Sequence, residues 1–523
     1  MISFKDFDSL DIPLEGTNLI EASAGTGKTY TISSLYLRLI LEKRLSVNQI
    51  LVVTFTKAAT EELRDRIRRK LRKCIEAFSK GHSEDEFLNA LVKKYEDPHE
   101  PLRCIHEALR DFDEAAIFTI HGFCQRMLFE HAFETGSPFD TTLITEEENL
   151  RQEIAYDFWR KHLYPAASEV VNYILDKRIS PSTFLNRLRA GLAHPELRII
   201  PDIGMPEMRT LAPFRKALET LRRAWANSRD RVREKLTDAG LNGQLYGTTK
   251  PRPEGSSKRD QVVSGLLGNM DRLVSSEHTA FPLFPHFERL TSRVLTSSMK
   301  KGHAPPEHKI FHICDEIAER AQALEREIEF FVLFLKSEMF RYAREELVSR
   351  KRKGNIRSFN DLVMDIKEAL RDQGEITFAR EVRAHYKAAL IDEFQDTDPI
   401  QYAIFQALFS TEKSIVFLIG DPKQAIYGFR GADLFTYMKA AAQVENRYTL
   451  RKNWRSESDL VASINTIFSR TSRPFVYREI PYTSAQAGNK GARGYLSVEG
   501  KREPPLQLWL LEAPDGALPD TAL

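Results

Sequence analysis

The stretch NLIEASAGTGKTYTISSLYLRLI, from Asn18 to Ile40, decides the fold. A short apolar run, Leu19 and Ile20, leads into small polar residues and then into a segment where Ile32, Leu35, Tyr36, Leu39 and Ile40 recur at helical spacing. The order is strand, loop, helix. Ala22, Ser23, Ala24, Gly25, Thr26, Gly27, Lys28 and Thr29 fit the phosphate-loop pattern, with alanine where glycine is commoner. Small residues let consecutive backbone N–H groups turn inward around phosphate oxygens, and the following helix N-terminus adds its dipole. In that reading Lys28 reaches the β and γ phosphates of ATP and the Thr29 hydroxyl holds Mg²⁺.

Working outward, a second unit of the same kind follows: the β-branched run Ile50 to Val53, a polar link, and a helix-forming segment with Leu63, Ile67 and Leu71 on one face. Two consecutive βα units imply a parallel sheet with crossover helices. Apolar runs of the same character return at Ala388 to Ile391 and Ile415 to Ile419, so one sheet is interrupted. The first of these ends in Asp392 and Glu393. A phosphate loop needs a metal-binding acid on a neighbouring strand; Asp392 is placed to orient Mg²⁺ and Glu393 to polarise the attacking water. A strand running into an acidic turn is the plain alternative for this pair alone. The segments between are helical in pattern, broken by the weakly hydrophobic Thr248 to Gln261, and roughly 200 residues of them suffice for a domain of their own.

The expected class is therefore α/β: a P-loop NTPase parallel sheet with a large α-helical inserted domain. A further strand is expected at Leu506 to Leu511. With 42% hydrophobic and 29% charged residues, the 523-residue chain fits a globular protein and excludes wholesale disorder. No apolar run is long enough to span a membrane and no export signal is legible, so the expected compartment is the cytoplasm. Cys74, Cys104, Cys124 and Cys314 lie far apart, without metal-ligand spacing, and read as reduced thiols. A net charge of +2 announces no nucleic-acid partner, so any basic surface must be local, and Arg64 to Lys73 and Arg341 to Arg357 are the candidate runs.

The segments LIEASAGTGKTYTISSLYLRLIL, VVTFTKAATEELRDRIR, FTIHGFCQRML, LIDEFQDTDPIQ, LIGDPKQAIYGFRGAD and LRKNWRS occur in the order found in superfamily 1 DNA helicases of the UvrD type. In detail they resemble the RecB-like family, the beta subunits of exodeoxyribonuclease V. The resemblance implies a RecA-like motor lobe over residues 1–133 and 351–444, the inserted domain over 134–350 and the start of a second motor lobe over 445–523, in an ATP- and Mg²⁺-dependent helicase subunit with 3′ to 5′ translocation in double-strand-break repair. It implies single-stranded and duplex-end DNA as partners, with gamma and alpha subunits of an exodeoxyribonuclease V-like complex, and no membrane. Phe55 and Thr56, then His121 and Phe123, match DNA-contacting motifs, and a ring at a strand end suits base stacking. Taken alone, Phe55 also reads as a core ring and His121 as a structural histidine. Gln424 resembles the γ-phosphate sensor, with Tyr427, Phe429 and Arg430 where the family links that sensor to DNA. Arg455 resembles the phosphate-contacting arginine of the second lobe, and Trp454 the aromatic beside the adenine. In this setting the basic runs read as phosphate contacts.

The chain departs from the family pattern in two places. No glutamine-bearing adenine motif is evident before the phosphate loop, and the later helicase motifs and the nuclease domain are expected to be missing. The rival reading is a nucleotide-dependent DNA-binding module without motor activity.

Overall fold

The computed structural model describes residues 4–135, 141–192, 198–237, 240–251, 255–276, 281–371, 375–409, 414–426, 428, 433–488 and 496–509. It divides into two units, residues 1–141 with 359–523, and residues 142–358.

The first unit is built on a seven-stranded, wholly parallel sheet. Its strands are β1 (Lys5–Asp6), β2 (Gly16–Ala22), β3 (Ile50–Thr54), β4 (Ile117–Thr119), β5 (Ala388–Ile391), β6 (Ile415–Gly420) and β7 (Asn446–Leu450), in the spatial order β1-β7-β2-β6-β5-β3-β4. The α/β class expected from the βα units is the one that forms, and β5 and β6 complete between β3 and β2 the sheet that the N-terminal strands begin. Every residue of β3, β5 and β6 is buried, because a parallel sheet covered on both faces is read as unbroken apolar runs. The register Glu21↔Gly420 and Ile391↔Leu418 brings the C-terminal ends of β2, β6 and β5 side by side. Ligands of open α/β sheets bind at that edge.

Helix α1 (Lys28–Lys43) follows β2 and helix α2 (Lys57–Lys80) follows β3. Ile32, Leu35, Tyr36, Leu39, Ile40, Leu63, Ile67 and Leu71 are all buried in one core with Ile20, Val52, Leu390 and Phe417. Helix α1 is enclosed all round from Thr31 to Leu41. Its buried Arg38 is satisfied by Glu42 at 2.6 Å and by the carbonyls of Ser9 and Ile12 at 2.9 Å. Helix α3 (Ile120–Glu130) continues from β4.

The second unit is almost entirely helical. Its spine is α4 (Lys309–Lys353), 45 residues long, with Ile310, Cys314, Ile317, Ala321, Leu324 and Ile328 at helical spacing in the core. One parallel strand pair, Thr142–Ile144 with Ile356–Ser358, lies at the unit's chain ends. The basic run on the last turns of α4 is tied down within this unit: Arg341 pairs with Asp202 and Glu338, Arg350 with Asp157 and Glu346, and Lys351 with Glu147. These three cations have carboxylate partners within the protein, while Arg352 and Lys353 are exposed.

The strand expected at Leu506 to Leu511 does not form over Leu506 to Trp509, where no partner strand runs alongside and Leu508 and Trp509 are exposed. Residues 510–511 lie outside the described residues. Cys74, Cys124 and Cys314 are buried thiols and Cys104 is half-buried. Among the described residues no helix is long and apolar enough to cross a membrane.

Candidate active site

Strand β2 ends at Ala22 and α1 begins at Lys28, so Ser23 to Gly27 form the loop between them. Gly25 and Gly27 have φ of 80° and 93°, a backbone region in which a Cβ is strained. The loop is closed by the Thr26 amide and hydroxyl, which both donate to the Ser23 carbonyl, at 3.1 and 2.7 Å. Lys28 and Thr29 stand in the first turn of α1, where backbone N–H groups have no partner inside the helix.

Beside this loop, β5 delivers Asp392 and Glu393. The Lys28 ammonium lies 2.5 Å from the Glu393 carboxylate, and Glu393 itself sits in the left-handed region at φ 51°. Asp392 Oδ1 is shut off from solvent and takes no hydrogen bond. Burial, and then the neighbouring Glu393, push the Asp392 carboxyl up to about 7. The same two causes push Asp396 up to about 6. Two carboxyls held far above their ordinary range just beyond one strand end are in keeping with a site whose chemistry uses charge.

Two further residues, neither legible as site residues beforehand, organise this edge. Gln395 is 2% exposed; its Nε2 donates to Glu393 Oε2 at 2.7 Å and its Oε1 accepts from the Asp421 amide at 2.9 Å. Gly420 makes room for it, since a Cβ there would stand 2.5 Å from Gln395 Oε1. Through Asp421 the chain of contacts reaches Gln424, whose Nε2 donates to Asp421 Oδ2 at 2.7 Å. The second residue is Asn453. Its Nδ2 donates to the Ala24 carbonyl at 3.0 Å, while its Oδ1 accepts from the amides of Arg455 and Ser456, both at 2.9 Å. Asparagine in such a turn mimics a backbone bend. The Trp454 amide donates to the Gly25 carbonyl at 2.8 Å, so the turn that carries Trp454 and Arg455 is seated on the phosphate loop. A Cβ on Gly25 would lie 2.7 Å from Arg455 Cβ, and one on Gly488 would lie 2.5 Å from the Trp454 indole. Glycine at both places is a packing requirement of this turn.

The structure thus brings Ala22 to Thr29, Asp392, Glu393, Trp454 and Arg455 together, with Gln424 joined through Asp421 and Gln395. The DNA-facing candidates fare unevenly. Thr56 is exposed and N-caps α2, accepting from the Ala59 amide at 3.1 Å, with Phe55 half-buried before it. His121 packs edge-on against Phe359 at 5.4 Å, and burial lowers its basicity. Phe123 is fully buried, stacked on Phe405 and edge-on to Tyr386, and presents no face to solvent; it packs the core rather than a base. Tyr427, Phe429 and Arg430 lie outside the described residues.

The run Arg64 to Lys73 is divided between internal contacts and exposed cations. Arg64 donates to the carbonyls of Ala115 and Ile117, Arg68 pairs with Asp113, and Arg66 pairs with Glu62. Lys70 is buried, 2.9 Å from Asp85 and 3.6 Å from the centre of the Tyr30 ring. Much of the run fastens α2 to its surroundings, leaving Arg69, Arg72 and Lys73 among the exposed cations on this helix.

Residues 8–445 match the family described as UvrD/REP helicase N-terminal domain. The chain is similar to the RecBCD enzyme subunit RecB of Escherichia coli (strain K12), at 34% identity over 521 residues, covering 97% of this chain and 42% of that protein. It is 35% identical over 541 residues to the protein of the same name from Haemophilus influenzae, covering 96% of this chain and 44% of the relative. The protein of that name from Mycobacterium tuberculosis (strain ATCC 25618 / H37Rv) is 27% identical over 459 residues. The chain spans about two fifths of the length of the first two relatives.

Proposed function

Given that the chain belongs to the UvrD/REP helicase family, we propose that it is the ATP-hydrolysing motor portion of a RecB-type DNA helicase subunit. In this reading it acts on single-stranded and duplex-end DNA with 3′ to 5′ polarity, in double-strand-break repair. Its protein partners are gamma and alpha subunits of an exodeoxyribonuclease V-like complex, in line with the subunit named in its relatives. The observation that carries the proposal is the meeting of Lys28 and Glu393 on a phosphate loop, beside the buried and unbonded Asp392 Oδ1.

The residues present fit a divalent cation. A buried carboxylate oxygen without a donor, in a group whose ionised form is penalised by burial, is suited to a metal's charge. Asp392 and Thr29 would hold Mg²⁺, which when bound neutralises charge on the phosphates. Lys28 leaves Glu393 for the β and γ phosphates, an exchange of one anionic partner for another. That frees the Glu393 carboxylate, still held by Gln395, to accept a hydrogen bond from the attacking water. Gln424 contacts the terminal phosphate, Arg455 adds a fixed positive charge from the turn seated on the loop, and Trp454 lies against the base. Phe55 and Thr56, with Tyr427, Phe429 and Arg430, supply DNA contacts.

Steady-state ATP hydrolysis by the purified chain, with and without single-stranded DNA and beside a Lys28→Ala control, tests the reading. Turnover that DNA stimulates and Lys28→Ala abolishes is the expected result. Nucleotide binding without turnover in either condition would overturn the motor and leave a DNA-binding module.

A further inference from the structure

Next to the nucleotide site, and outside the roles given above, lies a cluster of two buried carboxylates and one half-buried cation. Glu21 is the penultimate residue of β2, directly before the phosphate loop, and is 5% exposed. Asp421 follows β6 and is 2% exposed. Lys423 stands in the single turn Pro422–Gln424; its ammonium lies 2.8 Å from Asp421 Oδ1 and donates to Glu21 Oε1. Burial pushes the Glu21 carboxyl up, with Lys423 opposing it. Close by, the hydroxyl of Tyr437, on the helix Leu434–Gln443, is buried and takes no hydrogen bond.

The strands themselves do not require this arrangement, since β2 and β6 already pair from Gly16↔Ile415 to Glu21↔Gly420. Desolvating three charges costs more than a well-packed apolar set would, so such a cluster is weak as a source of stability and strong as a fixer of geometry. What it fixes is the chain beyond the strand ends. Asp421 Oδ2 receives the Gln424 amide, and Asp421 Oδ1 receives both the Lys423 ammonium and the Lys423 backbone N–H, the latter at 3.1 Å. Without the ammonium, Glu21 and Asp421 face each other as like charges in a buried place, and the tie between the strand that carries the phosphate loop and the carboxylate that holds Gln424 is lost.

We infer that Lys423 is a positioning residue: by bridging Glu21 and Asp421 it locks the Gln424 turn to the strand that carries the phosphate loop, and so sets the rate of ATP hydrolysis rather than ATP affinity. The inference rests on the proposed motor function, and deepens it by assigning to one cation the alignment of the sensor with the loop.

The test is ATP turnover by Lys423→Met and Lys423→Arg, with single-stranded DNA present. A displacement of about 1 Å at a catalytic group is enough to cost about 100-fold, so Lys423→Met is expected to lower kcat about ten- to a hundred-fold. KM for ATP should stay within about three-fold, because Lys28 and its loop are untouched. Lys423→Arg, which restores the charge, should recover much of the loss. Unchanged kcat in Lys423→Met overturns the inference, as does an equal loss in Lys423→Arg or a loss that appears in KM alone. The wild-type rate against Lys28→Ala reports on the motor reading separately. Were the wild type inactive, a crystal structure of Lys423→Met decides: a Gln424 turn displaced from Asp421 supports the inference, and one still bonded to Asp421 Oδ2 refutes it.

Discussion

The Lys28 ammonium and the Glu393 carboxylate lie 2.5 Å apart, joining residues 365 positions apart in the chain. Each is the other's competitor for a reaction partner: Lys28 is needed by phosphate oxygens and Glu393 by water. Glu393→Gln removes the competing charge while Gln395 remains at hand. A partly exposed ion pair of this kind is worth at most about 1 kcal/mol, so ATP should bind the variant up to about five-fold more tightly. Hydrolysis should fall by about 100-fold or more, since the group that polarises water is gone. Titration with a fluorescent non-hydrolysable ATP analogue beside a turnover assay checks both halves. Weaker binding in Glu393→Gln would show that the pair organises the loop and does not compete for it.

Asp392 predicts a stability that depends on pH. Its folded pKa of about 7 lies above the ordinary value of about 3.9 because of burial and then Glu393. A group raised on folding favours the folded state at low pH, and that contribution is lost as pH rises through the window from about 4 to about 7. Asp392→Asn removes the charge that burial penalises. Without nucleotide, the variant should melt above the wild type at pH 8, with the gap narrowing at pH 5. It should also lose Mg²⁺-dependent turnover, a trade of function for stability expected at strained sites. Differential scanning calorimetry at the two pH values settles the sign.

Asn453 separates two jobs by chemistry. Its Oδ1 shapes the turn through the amides of Arg455 and Ser456, and its Nδ2 fastens that turn to Ala24. Asn453→Asp keeps the acceptor and loses the donor, whereas Asn453→Ala loses both. One lost hydrogen bond costs about 1 kcal/mol. If seating the turn on the loop matters for hydrolysis, both variants should lower kcat, and Asn453→Asp, which loses one of these bonds where Asn453→Ala loses all, should lower the melting temperature less. Full activity in Asn453→Asp would make the contact to Ala24 incidental.

What was legible in the sequence follows from where chemistry is local. The phosphate loop is a backbone device, written by consecutive small residues from Ala22 to Gly27, and strands covered on both faces, such as Ile415–Gly420, read as unbroken apolar runs. Strand β7, NRYTL, escaped because its outward residues are polar and partly exposed. Gln395 and Asn453 escaped for another reason: a polar residue in a loop acquires its role from partners that only folding supplies, Asp421 in one case and Ala24 in the other. Phe123 misled in the opposite sense, since a ring at a motif position says nothing about which way it faces.

The charge run on α2 makes the same point in a form that can be measured. Lys70 is 6% exposed, paired with Asp85 and seated over the Tyr30 ring, while Arg72 and Lys73 face solvent. Removing one member of a buried pair strands the other, at a cost of about 3 kcal/mol where some partners remain. Asp85 keeps the Tyr30 hydroxyl at 2.6 Å and the Leu88 amide at 3.2 Å, which softens the loss. Lys70→Met should therefore lower the melting temperature by several degrees while leaving the salt dependence of single-stranded DNA binding unchanged. The double variant Arg72→Ala with Lys73→Ala should do the reverse if these cations meet phosphates, keeping the melting temperature and flattening the salt dependence. An unchanged salt slope in the double variant would remove Arg72 and Lys73 from the DNA path, and a changed salt slope in Lys70→Met would show that this buried cation is reached by phosphate after all.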